Sequence, residues 1–152
     1  MAFQNNIRLR PADEEIEYDN YRKNEFVKCA TDITYFAKNY CQIVTIDYGQ
    51  LVIPLKDWQE SILKNYFINR NKKNLILLFP RQSSKTTLVA IYFLWQIVFK
   101  KDKSLAVVAN RMKTAKAQVL EKIKLMYEFL PYWMQPGVFE WNKESVKTSN
   151  NN

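Results

Sequence analysis

The chain has 152 residues, 47 % of them apolar and 25 % charged, with a net charge of +8 and only two glycines. This length allows one domain with a real core and excludes several, and the composition excludes a wholly disordered chain. Two cysteines, Cys29 and Cys41, without any histidine exclude the common zinc sites and read as reduced, buried thiols.

Residues 1 to 10 are polar and aperiodic and read as an unstructured arm. Pro11 followed by Ala12-Asp13-Glu14-Glu15 has the form of a helix start, with acids beside the positive end of the dipole. Phe26, Ala30, Ile33 and Ala37 recur at helical spacing towards Tyr40, and Thr31-Asp32 can cap a second helix within that span. Gln42–Ile46 and Leu51–Ile53 flank an Asp47-Tyr48-Gly49 turn and predict a β-hairpin. Lys56–Asn69 predicts a helix with Trp58, Ile62, Leu63 and Tyr66 on one side. After a polar, basic link, Leu75–Phe79 is a continuous apolar run, the mark of a strand buried on both faces. A loop from Pro80 to Ser84 leads into a helix over Lys85–Phe99, and Lys100–Lys103 is a charged turn. Leu105–Ala109 predicts a second buried strand, and Arg111–Leu130 a long helix stopped by Pro131. Gly137–Trp141 and Ser145–Thr148 predict two short strands around a turn. Strand, helix, strand, helix is the beginning of a parallel α/β sheet, here with a helical and β-hairpin extension before it.

The charge is uneven. Asp13, Glu14, Glu15, Glu17 and Asp19 make an acidic start, and Lys100 to Lys124 is strongly basic. Such a surplus of Lys and Arg suits a polyanion as well as it suits plain solubility. In the last long helix Arg111, Lys113, Lys116, Lys122 and Lys124 flank an apolar stripe of Ala115, Val119, Ile123 and Met126. No apolar run approaches the length of a membrane span, and Met1–Arg10 has no signal-peptide core.

The segment 80–87 carries the chemistry. A phosphate-binding loop reads G-x-x-x-x-G-K-[ST] between a buried strand and a helix. Its backbone N–H groups and the helix N-terminus face the phosphates, lysine reaches the terminal phosphates, and the hydroxyl ligates magnesium. Here Lys85-Thr86-Thr87 opens the helix, Arg81-Gln82-Ser83-Ser84 precedes it, and both glycines are replaced, by Phe79 and Ser84. In this reading Lys85 clamps phosphate, Thr86 binds Mg2+, and Arg81 stabilises charge at the γ-phosphate of ATP. A serine at position 84 bears a Cβ where the backbone must approach phosphate, and a positive φ there would carry strain.

Arg81-Gln82-Ser83-Ser84-Lys85-Thr86-Thr87 resembles the phosphate loop of the large terminase subunit of tailed bacteriophages, which typically reads Arg-Gln-x-Gly-Lys-Thr. In that family the first glycine is also absent, so Ser84 is the one departure. Ile33–Tyr40 looks like the family's helix ahead of the motor core. Leu55-Lys56-Asp57-Trp58-Gln59 looks like its adenine-recognition segment, where the Gln59 amide would meet the base edge and Trp58 would pack beside it. Leu130-Pro131 through Trp141-Asn142-Lys143 looks like the myovirus-type branch. The resemblance spans residue 25 to 152, with 1–24 as an N-terminal arm and acidic helix.

The resemblance implies a partial P-loop NTPase sheet of RecA/helicase-like type and an ATP- and Mg2+-dependent DNA-packaging motor. Its implied partners are double-stranded viral DNA, the portal protein and a small terminase subunit. The full-length motor would be a homo-oligomeric ring at the prohead portal in the host cytoplasm. In helicase-like ATPases the segment after the second strand often meets DNA backbone, which makes Asn110, Arg111 and Lys113 the DNA candidates. A Walker B aspartate and its glutamate have no counterpart, since Asp102 is the only aspartate after Lys85 and lies in a charged turn. The nuclease domain's acidic cluster is likewise missing. The expectation is therefore an incomplete ATPase domain that is inactive alone, with an unfinished sheet exposing an edge strand. Two other readings stand beside it. One is a helicase piece, which would need the glycine-rich loop. The other is a non-catalytic nucleic-acid-binding or assembly module with a decayed P-loop.

Overall fold

The computed structural model describes residues 6–68, 75–80, 83–108 and 119–150. It is a mixed α/β arrangement of helices and two small antiparallel sheets. The elements are α1 (Asn20–Thr31), α2 (Ile33–Tyr40), β1 (Gln42–Thr45), β2 (Gly49–Val52) and α3 (Asp57–Ile62), which continues as a π-helical turn over Leu63–Ile68. Then come α4 (Lys85–Phe99), α5 (Glu121–Glu128), a 3-10 turn (Tyr132–Met134), β3 (Val138–Trp141) and β4 (Val146–Thr148).

Several boundaries follow from local chemistry. Asp32 ends α1 through its own N–H to the Lys28 carbonyl (2.9 Å) and starts α2 by accepting from the Thr34 and Tyr35 N–H groups (2.8 and 3.2 Å). One aspartate thus caps two helices. The β1–β2 hairpin pairs Gln42 with Val52 and Thr45 with Gly49. Gly49 sits at φ +66°, the left-handed region where a side chain is disfavoured.

Helix α4 is the centre of the core. Leu88, Ala90, Ile91, Leu94, Trp95, Ile97 and Val98 are all buried along it. Phe99 meets Phe26 of α1 and Phe36 of α2 edge-on, at ring-centroid distances of 4.9 and 5.1 Å. The Trp95 indole donates to the Cys29 carbonyl at 2.9 Å. At its C-terminal end the Asn150 amide donates to the Ile97 and Val98 carbonyls (3.1 and 3.0 Å), satisfying acceptors that a helix end leaves open. Cys29 and Cys41 are both free thiols and buried, as expected.

Glu25 of α1 is buried, and its carboxylate accepts from Tyr35 (2.7 Å) and Tyr40 (2.9 Å) of α2. Lys28 stands 3.6 Å away. The Tyr35 hydroxyl, more than any other group, holds the carboxyl below its usual value of 4.5. A depressed acid contributes stability above the unfolded value, and that contribution is lost as pH falls through the folded value. Urea midpoints of the wild type should therefore fall between about pH 5 and pH 3 more steeply than those of Glu25→Gln. Parallel pH profiles would show that the carboxylate adds nothing.

The acidic segment after Pro11 is not helical, contrary to the expectation from its sequence. Helix α1 begins only at Asn20, capped by the Asp19 carboxylate, which accepts from the Arg22 N–H at 2.7 Å. Residues 6–18 run instead as a strap over the C-terminal hairpin. Pro11 bridges Val138, whose N–H donates to the Arg10 carbonyl (2.8 Å), and Leu9 is buried. The acids after Pro11 are worth only tenths of a kcal/mol to a helix, about 0.3–1 at a dipole end, and long-range pairing outweighs them. Gly137 permits the approach, because a Cβ there would lie 2.5 Å from the Ala12 Cα. Gly137→Ala should consequently destabilise the chain by about 1–3 kcal/mol, read as a lower urea midpoint together with faster proteolysis within residues 6–18. An unchanged proteolysis rate would mean that the strap is held elsewhere.

The two expected buried strands are the main difference from the sequence reading. Among the described residues no parallel sheet forms, and residues 75–80 and 103–108 have no regular secondary structure and no ladder partners. Leu75, Leu77, Phe79 and Leu105 pack against the core. Ile76, Leu78 and Val108 point the other way and are 92 %, 95 % and 93 % exposed. A strand buried on both faces needs strands along its edges and a second layer above it. Only one face of each run is covered here. The β-hairpin extension and the final pair of strands, β3 and β4, do form as expected. Of the last long helix, residues 111–118 lie outside the described residues, and the described part is a π-helical turn at Val119-Leu120 followed by α5.

Candidate functional site

The candidate site is the N-terminal end of α4. The helix begins at Lys85 and its first backbone bond runs from the Leu88 N–H to the Ser84 carbonyl at 3.1 Å. Ser84 immediately before it has φ +56° and ψ +18°, a left-handed conformation. That is the backbone state which glycine adopts freely and which serine adopts only with strain. The first turn of α4 contains no acid, and the Ser84 side chain makes no cap bond. Among the described residues no acid or side-chain cap meets the first-turn N–H groups, whose dipoles favour negative charge.

The Lys85 ammonium is exposed and folds back onto the Pro80 carbonyl (3.2 Å), which also accepts from the Ser83 hydroxyl (3.0 Å). The Pro80 carbonyl thus gathers both donors. Thr86 is part-buried in the first turn. The Thr87 hydroxyl, at the third helical position, accepts from the Lys122 ammonium of α5 at 3.0 Å.

The expected adenine segment lies close to the same loop. Trp58 packs against Phe79 at a ring-centroid distance of 5.0 Å, tilted by 39°, so the start of α3 abuts the run leading into Pro80. Gln59 is buried at the third position of α3, where its side-chain oxygen accepts from the Lys56 N–H (2.9 Å). It therefore serves as a capping-box residue, and its amide N–H groups are the side chain's remaining donors. Trp58, Phe79, Pro80 and Lys85 form a connected series of contacts. Arg81 and Gln82 lie outside the described residues, as do Asn110, Arg111 and Lys113.

Among the described residues, this helix end presents the hydroxyls of Ser83, Ser84, Thr86 and Thr87. Among the described residues there is no group of three His, Cys, Asp or Glu able to hold a metal ion. A hard cation such as Mg2+ can take its other oxygens from phosphate and water, so a metal arriving with a nucleotide fits these residues, and a metal held by a protein cage does not. No helix among the described residues is long and apolar enough to cross a membrane.

Lys122 was not singled out by the sequence, which grouped it with a basic flank. The signal was present in its spacing. Position 122 is three residues after Val119 and four before Met126, both buried, and so shares the inward side of its helix. No protein-family model matches the sequence.

Proposed function

We propose that this chain is the ATP-binding segment of a phage terminase large subunit, which drives viral DNA into a capsid by ATP hydrolysis. One observation carries the reading. Ser84, at the position of the P-loop glycine, takes the left-handed backbone conformation directly before the lysine that opens a 15-residue helix. A chance Lys-Thr-Thr at a helix start has no reason to store that strain. The fold implied is a partial P-loop sheet of RecA/helicase-like type, whose strands would be residues 75–79 and 105–109.

In this reading the first-turn N–H groups of α4 and the Lys85 ammonium bind the polyphosphate, and Thr86 ligates the Mg2+ that accompanies ATP. Trp58 and the Gln59 amide meet the base. Arg81 and Gln82 complete the loop, with Arg81 near the γ-phosphate. When bound, Mg2+ neutralises phosphate charge, and the chain's own residues supply position. Asn110, Arg111 and Lys113 would meet the backbone of double-stranded DNA. The portal protein, a small terminase subunit and other copies in a ring would be the partners of the motor, at the prohead portal in the host cytoplasm.

The test is a calorimetric titration of the folded chain with Mg-ATP. Saturable one-to-one binding supports the reading. A flat titration, in a sample with a cooperative melt, would sink it.

A further inference from the structure

Trp133, in the 3-10 turn, stands between two tyrosines from distant segments, Tyr18 of the strap and Tyr40 of α2. The Tyr18 ring lies at 90° to the indole with centroids 6.4 Å apart, and the Tyr40 ring at 88° and 6.5 Å. The core pairs of Phe99 with Phe26 and Phe36 are also edge-on, yet close at 4.9 and 5.1 Å. Tyr18, Tyr40 and Trp133 are each half-buried, so each keeps some surface in reach of solvent. The two hydroxyls are anchored. Tyr18 donates to the Trp133 carbonyl (2.8 Å) and Tyr40 to the Glu25 carboxylate (2.9 Å). The rings are thereby held in place, and a phenol that donates to a carboxylate gains electron density on its ring. The surroundings are acidic, although the chain as a whole carries +8: residues 13–28 hold six acids against Arg22, Lys23 and Lys28. Glu14 accepts from Tyr132, the neighbour of Trp133, and Glu17 and Asp19 flank Tyr18. Arg22 stands 3.7 Å from Asp19 and Lys28 3.6 Å from Glu25, and the acids remain in excess.

We propose that Trp133, Tyr18 and Tyr40 form a three-ring aromatic site for a methylated or quaternary ammonium group. The spacing suits such an ion. A cation about 4.5 Å from the centres of two perpendicular rings sets those centres about 6.4 Å apart, within the reach of a cation–π contact. Both tyrosine–tryptophan pairs have that separation. The ring faces attract the cation at close range, and the surplus of acids draws it from further off. A bare ammonium is compact and strongly hydrated. N-methyl groups weaken that hydration and present apolar surface to the rings, so the methylated ion enters at the smaller desolvation cost. The same acids repel a phosphate or a nucleic acid. The site is separate from the phosphate loop and does not depend on that reading. One wall comes from the strap, so a bound cation would also hold residues 6–18 more firmly against the 3-10 turn.

The experiment follows the indole N–H resonance of Trp133, assigned by its loss in Trp133→Phe, during titration of the full chain. The probes are choline, the acetylated amide of trimethyl-lysine, and the neutral isostere of choline in which a tert-butyl group replaces trimethylammonium. Choline or the trimethyl-lysine amide should shift the resonance saturably, and the neutral isostere should bind about tenfold more weakly or worse, the worth of the cation–π contacts. Binding of choline alone assigns the site to a small molecule or headgroup, and binding of the amide alone to a modified side chain. Either result supports the cation site. Tyr18→Leu, which keeps an apolar side chain but removes the ring, should lower affinity for the cation about tenfold and leave the neutral isostere unchanged, while Tyr18→Phe keeps most of the binding. Equal affinity for choline and its isostere would show an apolar crevice and overturn the proposal. So would the absence of any saturable shift in a wild-type sample with a cooperative melt, or an unchanged cation affinity in Tyr18→Leu. The comparison of choline with its isostere uses wild type alone, so it decides the matter even where Tyr18→Leu fails to fold.

Discussion

Lys85→Ala is expected to weaken Mg-ATP binding by about a hundredfold or more, with the melting temperature of the free chain almost unchanged. The two halves of that expectation have separate causes. In the free chain Lys85 is exposed, and among the described residues its ammonium donates to the Pro80 carbonyl. Removing such a surface group changes stability by no more than about 0.5 kcal/mol. In the nucleotide complex the ammonium would make two charge-assisted bonds to phosphate, each worth about 1.5–3 kcal/mol. Two such bonds correspond to about a hundredfold or more in Kd. Calorimetry paired with a thermal melt separates the terms, and a change of less than threefold in Kd would remove Lys85 from the site. Ser84→Gly in the same series supplies the complementary result. Glycine relieves the left-handed strain at φ +56°, of order 1 kcal/mol, so this variant should melt higher and bind at least as tightly as wild type.

Gln135→Leu is expected to cost about 3 kcal/mol of stability, seen as a lower urea midpoint at constant slope. Gln135 is almost completely buried and joins three separate segments. Its oxygen accepts from the Arg10 N–H (3.2 Å). Its amide nitrogen lies within hydrogen-bond distance of the carbonyls of Arg8 (3.0 Å), Leu130 (3.1 Å) and Tyr127 (3.2 Å). Leucine preserves the volume and strands these backbone groups in the interior, each at about 1–3 kcal/mol if water cannot reach it. A drop below about 1 kcal/mol would mean that water enters and satisfies them. The same substitution should release the strap of residues 6–18, because two of the bonds lead to Arg8 and Arg10.

How far the sequence could be read depended on the range of the interactions involved. The bounds of α4 were legible, because Lys85 follows a loop and Lys100 begins a charged turn. Asp32 was legible as a helix cap, and Gly49 as the turn of the first hairpin. Ser83 and Ser84 were legible as part of the loop that precedes α4. The start of α1 was misread, because an acid-rich segment after proline carries a local helix signal that the pairing of Pro11 with Val138 overrides. Lys122 was passed over because its partner, Thr87, is 35 positions away.

The sequence by itself determined the course of α2 and α4 and the turn of the first hairpin. A helix meets its backbone hydrogen bonds within its own segment, and caps such as Asp19 and Asp32 lie within three residues of the groups they satisfy. Only the tertiary structure decided which apolar runs become strands. Leu75–Phe79 and Leu105–Val108 have the composition of buried strands, but a strand's hydrogen bonds are made by another segment and its second face is covered by another layer. Without these among the described residues, the runs lie with one face on the core and Ile76, Leu78 and Val108 turned to solvent. The tertiary structure also decided that Ser84 takes a glycine's backbone conformation and that Lys122 reaches the same helix end. The contact of Lys122 depends on how α5 is seated against α4, and its partner Thr87 is 35 positions away.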